Sequence, residues 1–125
     1  MPMWILVAMG SALGGVARWA LNAAIETRTG PSFPWGTLTV NVLGGIAIGL
    51  CAALVVDRDS ARWSLLVTGM LGGFTTFSAF SLQSLELLQT QRFAAAAAYV
   101  AASVIACVLA CWAGWLLGRT FSAGS

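Results

Sequence analysis

The chain has no histidine, no lysine, four acidic side chains and a single tyrosine among 125 residues. Charged groups make up 8% of it, against about a quarter in an ordinary soluble domain. Each absence removes a class of function. No Asp, Glu, His or Lys lies deep inside an apolar stretch, so a proton relay through carboxylates or imidazoles has no carrier. A cation pore lined by acidic rings is excluded for the same reason. Cys51, Cys107 and Cys111 are odd in number, lie in apolar stretches and have no histidine to join them. They read as small buried side chains, not as a disulfide framework or zinc site. No nucleophile–base pair or metal constellation is present, which argues against an enzyme. The net charge of +2, spread over connections, gives no sign of a nucleic-acid partner.

What remains is hydrophobic. Four stretches, at about 3–24, 35–56, 63–85 and 93–117, contain 22, 22, 23 and 25 residues. Each is long enough to cross a hydrocarbon core of about 30 Å. The ionisable side chains fall almost entirely between them. The chain is therefore read as one all-α, four-span membrane domain over residues 1–125. The first stretch is too long and lacks the leading positive charge of a removable signal peptide.

Arginine is nearly balanced across the bilayer. One side would hold Arg58, Arg62 and Arg119; the other Arg28 and Arg92, with Arg18 near that end of span one. The positive-inside rule needs an asymmetry, and three against two is almost none. Insertion both ways up and one fixed orientation set by Arg58 and Arg62 both stay open. Each span also carries a Gly-x-x-x-Gly pair: Gly10/Gly14, Gly45/Gly49, Gly69/Gly73 and Gly114/Gly118. Such pairs let helix backbones approach closely.

The third span is the most informative. Residues 72–80 read Gly-Gly-Phe-Thr-Thr-Phe-Ser-Ala-Phe in the middle of an uncharged run. Each glycine lowers helix propensity by roughly 1 kcal/mol relative to Ala, so a helix broken near the bilayer midplane at the glycine pair is expected. Broken backbone at that depth needs protein or a polar cavity around it. Phe77 and Phe80 share a face if helix resumes, either as packing or as positive ring edges for an anion. Arg18 is either a snorkelling side chain or a fixed vestibule charge. Asn41, four residues from Thr37, is either glue between helices or part of a pathway lining. Tyr99, Ser103, Cys107 and Cys111 recur every four residues as a weakly polar stripe. Neutral donors, ring edges and one Arg favour a small oligomeric channel for an anion over one for a cation.

The run at 72–80 closely resembles the signature of the Fluc (CrcB-type) fluoride channels. So do the Gly14, Gly15 and Arg18 pattern and Asn41 followed by Gly44 and Gly45; the resemblance covers the whole chain. It implies an antiparallel, dual-topology homodimer in the bacterial inner membrane that exports fluoride passively and so confers fluoride resistance. It implies a fluoride pathway through Asn41, Phe77, Ser78, Phe80, Tyr99 and Ser103, with Arg18 at a vestibule. It further implies a structural sodium ion on the dimer axis, held by backbone carbonyls of Gly72 and Thr75. Two positions depart from many relatives: Ala79 stands where Thr is frequent, and Cys107 where a hydroxyl is. A thiol is a weak donor, which thins the polar track.

Two other readings compete. A small multidrug-resistance transporter would need a membrane-embedded Glu in span one, where this chain has Arg18. A structural subunit joined through glycine faces would leave Asn41 and the Thr75, Thr76 and Ser78 cluster without a purpose.

Overall fold

The structure, a computed structural model, describes residues 1–124. Over these residues it is all-helical, and among them four helical runs are long and apolar enough to cross a membrane. The first helix, Met3–Thr29, continues past the apolar stretch and stops at Gly30, whose φ of 74° suits glycine and whose N–H reaches the Glu26 carbonyl. Pro31 follows and cannot continue it. The second helix, Trp35–Leu54, starts directly after Pro34. The last, Phe93–Ala123, runs six residues beyond the apolar stretch. Apolarity sets how much of a helix can lie in lipid; caps and breakers set how long the helix is.

The third run differs from the others. Ser60 caps it by accepting from the Trp63 N–H at 3.2 Å. Over Ser64–Leu71 the backbone widens to π-type turns, then returns to α-helix over Gly72–Phe74. Thr75 (ψ 157°) and Thr76 (ψ 121°) are extended, and helix resumes over Phe77–Gln89. The expected place for an interruption was the glycine pair. Gly72 is instead right-handed helical (φ −61°, ψ −37°), and the extended residues come three and four positions later. Gly73 serves packing: a Cβ there would come within 2.5 Å of the Ser11 carbonyl.

The helices associate as two close pairs, first with third and second with last. All four Gly-x-x-x-Gly motifs lie at these contacts. A methyl group at Gly10 or Gly14 would overlap the carbonyls of Leu65 or Met70, and one at Gly49 that of Cys111. Gly69 faces Val7, and Gly118 faces Leu50 and Ala53. The glycine motifs therefore make close contacts within the chain.

Gly114→Val should accordingly be severe. Its Cβ would overlap the Ile46 carbonyl, a backbone atom that cannot swing aside. Overpacking of this kind costs about 1–3 kcal/mol or more. Thermal unfolding in detergent should drop well below that of wild type, while Gly15→Ala, which meets nothing within 4 Å, should leave it unchanged. Equal melting of all three proteins would refute the packing account.

Little of the molecule is buried. Between 11% and 22% of each span window is covered, so most of the apolar surface faces outward, as lipid requires. Arginine–tryptophan pairs mark one end: Arg58 lies 5.1 Å from the Trp63 ring centroid and Arg119 4.9 Å from that of Trp115. Such pairs suit a membrane interface, where the ring is half wet and the cation reaches water.

Candidate functional site

The site grows out of the interruption at Thr75 and Thr76. A helix that stops in mid-span leaves carbonyls and N–H groups without partners, which hydrocarbon cannot supply. Both the N–H and Oγ1 of Thr75 donate to the Leu71 carbonyl, each at 2.9 Å. Thr76 Oγ1 accepts from the Ala79 N–H at 3.1 Å and caps the resumed helix. Asn41, on the second helix, takes the Thr76 backbone. Its Nδ2 donates to the Thr76 carbonyl at 2.9 Å, and its Oδ1 accepts from the Thr76 N–H at 2.8 Å. One amide side chain thus satisfies both backbone groups of the residue at the turn. A further consequence falls on Gly72. Its carbonyl would accept the Thr76 N–H in a continuous helix, and that N–H is held by Asn41.

Two clefts flank this point. A groove of about 480 Å³ lies among the second, third and last helices, with Asn41, Gly72, Thr75, Phe77, Phe80 and Ser103 among its walls. Ser103 Oγ is buried there and has no hydrogen-bond partner among the described residues. A buried donor left unpaired costs roughly 1–3 kcal/mol, so this hydroxyl is the polar group of the last helix with the most to gain from a partner. On the other side a cleft of about 240 Å³ is lined by Arg18, Asn22, Thr37, Thr76 and Gln83. Thr76 borders both.

An aromatic ladder runs beside them. Phe77 and Phe80 have ring centroids 5.4 Å apart, Phe80 and Tyr99 5.3 Å, Tyr99 and Phe33 5.5 Å, and Phe33 and Trp35 4.7 Å. Phe77 is 78% exposed, whereas Tyr99 has no exposed surface. The Tyr99 hydroxyl donates to Gln83 Oε1 at 2.8 Å.

The residues singled out from sequence do not all meet. Asn41, Phe77, Phe80, Ser103, Gly72 and Thr75 share the larger groove. Arg18 lies in the smaller cleft. Tyr99 lines neither; it is packed behind Phe80 and reaches the smaller cleft through Gln83. Ser78 is exposed and outside both walls, its hydroxyl 3.3 Å from Thr76 Oγ1. Sequence reasoning passed over Gln83, Asn22 and Phe33. Gln83 carried a signal, since it continues the three-residue spacing of Phe77 and Phe80. Phe33 sits in a connection, where no periodicity points to it.

The chemistry offered is mixed and mostly neutral: hydroxyls, ring edges, the start of a helix at Phe77 and the Arg18 guanidinium present positive ends, while the Gly72 carbonyl freed by the Asn41 contact presents a negative one. No carboxylate lines either cleft. This is a multi-pass helical membrane protein whose interrupted third run is bordered by two clefts lined with hydroxyls, amides, aromatic rings and Arg18.

Its family follows from comparison. Residues 5–115 match the family model described as "CrcB-like protein, Camphor Resistance (CrcB)". The chain is 44% identical over 117 residues to a protein of Agrobacterium fabrum, covering 91% of this chain and 94% of that one. It is 45% identical over 117 residues to one of Paracoccus denitrificans (93% and 94%), and 41% over 119 residues to one of Opitutus terrae (91% and 90%). Each of these relatives is named "Fluoride-specific ion channel FluC". The chain belongs to the CrcB family.

Proposed function

We propose that the protein conducts fluoride passively and selectively across the bacterial inner membrane, exporting the ion and so protecting the cell from it. The observation that carries this reading is the groove beside the interrupted backbone, walled by Phe77, Phe80 and Ser103, whose buried Oγ has no partner among the described residues. Fluoride is small and strongly hydrated, and only closely spaced donors can replace its water. The relatives' name supports the choice of fluoride over other anions.

The same reading takes the interruption at Thr75 and Thr76 as the break of the third span near the bilayer midplane. It takes the working unit as two antiparallel copies. The near balance of Arg58, Arg62 and Arg119 against Arg28 and Arg92 supports insertion both ways up. The open side of the larger groove, with exposed Phe77, Val104 and Val108, is a surface a second copy would close. A structural sodium ion on the two-fold axis fits the released Gly72 carbonyl, which lies on an exposed residue, together with that of Thr75. Two copies would supply four such oxygens.

The test is ion efflux from liposomes holding the purified protein. Fluoride should leave far faster than chloride, and slower after prolonged replacement of sodium by a large organic cation. Equal fluoride and chloride fluxes would overturn the selectivity. Flux indifferent to sodium would remove the ion alone, and a C-terminal tag found on only one face of the membrane would remove the antiparallel pair.

A further inference from the structure

Tyr99 is the only tyrosine in the chain and is wholly buried. Its ring is held from two sides. Phe80 packs on one at 5.3 Å, and Phe33 meets the other edge-to-face at 5.5 Å and 83°. With the ring pinned, the hydroxyl has a defined direction, and it donates to Gln83 Oε1 at 2.8 Å. A carboxamide whose oxygen is turned to one donor directs its Nε2 hydrogens away from that partner, on the other arm of the planar amide. Gln83 also lines the cleft that contains Arg18 and Asn22.

Phe33 has no helix to hold it. It lies in the connection between the first two helices, where two contacts fix it. The Trp35 N–H donates to the Phe33 carbonyl at 2.8 Å. Arg92, from the turn between the third run and the last helix, donates through Nη1 to the carbonyl of Ser32, the residue before it. Gln91, preceding Arg92, has a φ of 58°, an uncommon conformation for a side-chain-bearing residue that aims the turn at this contact. Two connections on the same face are thus clasped, and the clasp seats Phe33 on Tyr99.

We propose that Phe33, seated by the Arg92–Ser32 clasp, is a positioning residue for anion passage: it locks Tyr99, and Tyr99 locks Gln83 with its amide hydrogens toward the cleft. Without the Phe33 ring the phenol gains room to turn, and Gln83 is free to rotate its oxygen inward. A carbonyl dipole pointing at the path repels an anion where the N–H had attracted it. The inference rests on the fluoride-conducting reading for its transport readout, and has a second readout that does not.

The experiment compares wild type, Tyr99→Phe, Phe33→Leu and the double variant. In liposomes, Tyr99→Phe should lower fluoride flux roughly 3- to 10-fold, the effect of losing one hydrogen bond. Phe33→Leu keeps apolar bulk and should lower it by a similar or smaller factor. The double variant should be no slower than Tyr99→Phe, because Phe33 acts through the hydroxyl already removed. Factors that multiply in the double variant, or unaltered flux in Phe33→Leu, would overturn the proposal. Independently, 3-fluorotyrosine incorporated at the single Tyr99 gives one labelled site for fluorine NMR. Its resonance should move in both Phe33→Leu and Arg92→Gln. An unmoved resonance in both refutes the clasp even if Tyr99→Phe fails to assemble. Wild-type protein that passes no fluoride would sink the channel reading, while the NMR shifts still decide whether Phe33 positions Tyr99.

Discussion

Asn41→Leu is expected to abolish fluoride flux and to lower thermal stability by more than any other single change at the site. Leucine has nearly the same shape, so the packing loss is small and the hydrogen bonds are what is tested. Asn41 satisfies both the N–H and the carbonyl of Thr76, at 2.8 and 2.9 Å, and Thr76 is only 9% exposed. Orphaning a buried backbone group costs about 1–3 kcal/mol, so two groups together cost about 2–6 kcal/mol. No neighbouring backbone is placed to take over, because the third run has already ended its own ladder at Leu71. The Thr76 N–H could be recovered only by returning to the Gly72 carbonyl, which would straighten the chain and erase the interruption. Unfolding in detergent and efflux from liposomes measure the two effects. Wild-type stability together with wild-type flux would mean that the extended residues hold themselves.

The second large effect concerns the two rings. Phe77→Ile and Phe80→Ile keep apolar bulk and remove the positive ring edge. Each should lower fluoride flux by at least about tenfold, the consequence of losing ~1.4 kcal/mol of anion stabilisation. The structure separates their side effects. Phe77 is 78% exposed, so the change there should leave folding intact. Phe80 stands between Phe77 and Tyr99 in the ladder, at 5.4 and 5.3 Å, and its loss should also loosen Tyr99. A slow, normally stable Phe77→Ile protein is the informative result. Unchanged flux in both variants would return the rings to ordinary packing.

These expectations draw on the sequence unequally. Phe77 and Phe80 were legible because they sit in one polar, aromatic run at helical spacing, where a span built only to anchor would carry Leu, Ile and Val. Asn41 was legible as an amide needing a partner, but its partner was not, since Thr76 lies 35 positions away. The glycines show the same limit. Their four-residue spacing announced close backbone approach, yet spacing is identical for a contact within the chain and one between copies. Only the positions of the Leu65, Met70, Cys111 and Ile46 carbonyls settle that they face inward.

By itself the sequence determined the four-span helical character and favoured an anion over a cation as the ligand. Both follow from which side chains are present along each segment: uninterrupted apolarity, no acid at depth, neutral donors in the third and last spans. Tertiary structure alone decided where the third run departs from helix and which polar groups stay free. Gly72 and Gly73 are the weaker helix formers, yet the extended residues are Thr75 and Thr76, because Asn41 waits on another helix to take the Thr76 backbone. Ser103, Tyr99 and Cys107 look alike as a stripe of spacing four. Packing leaves Ser103 unpaired, pairs Tyr99 with Gln83 and brings Phe33 from a connection to hold it. A hydrogen bond is a relation between two groups, and a sequence read along its length names the groups without their distances.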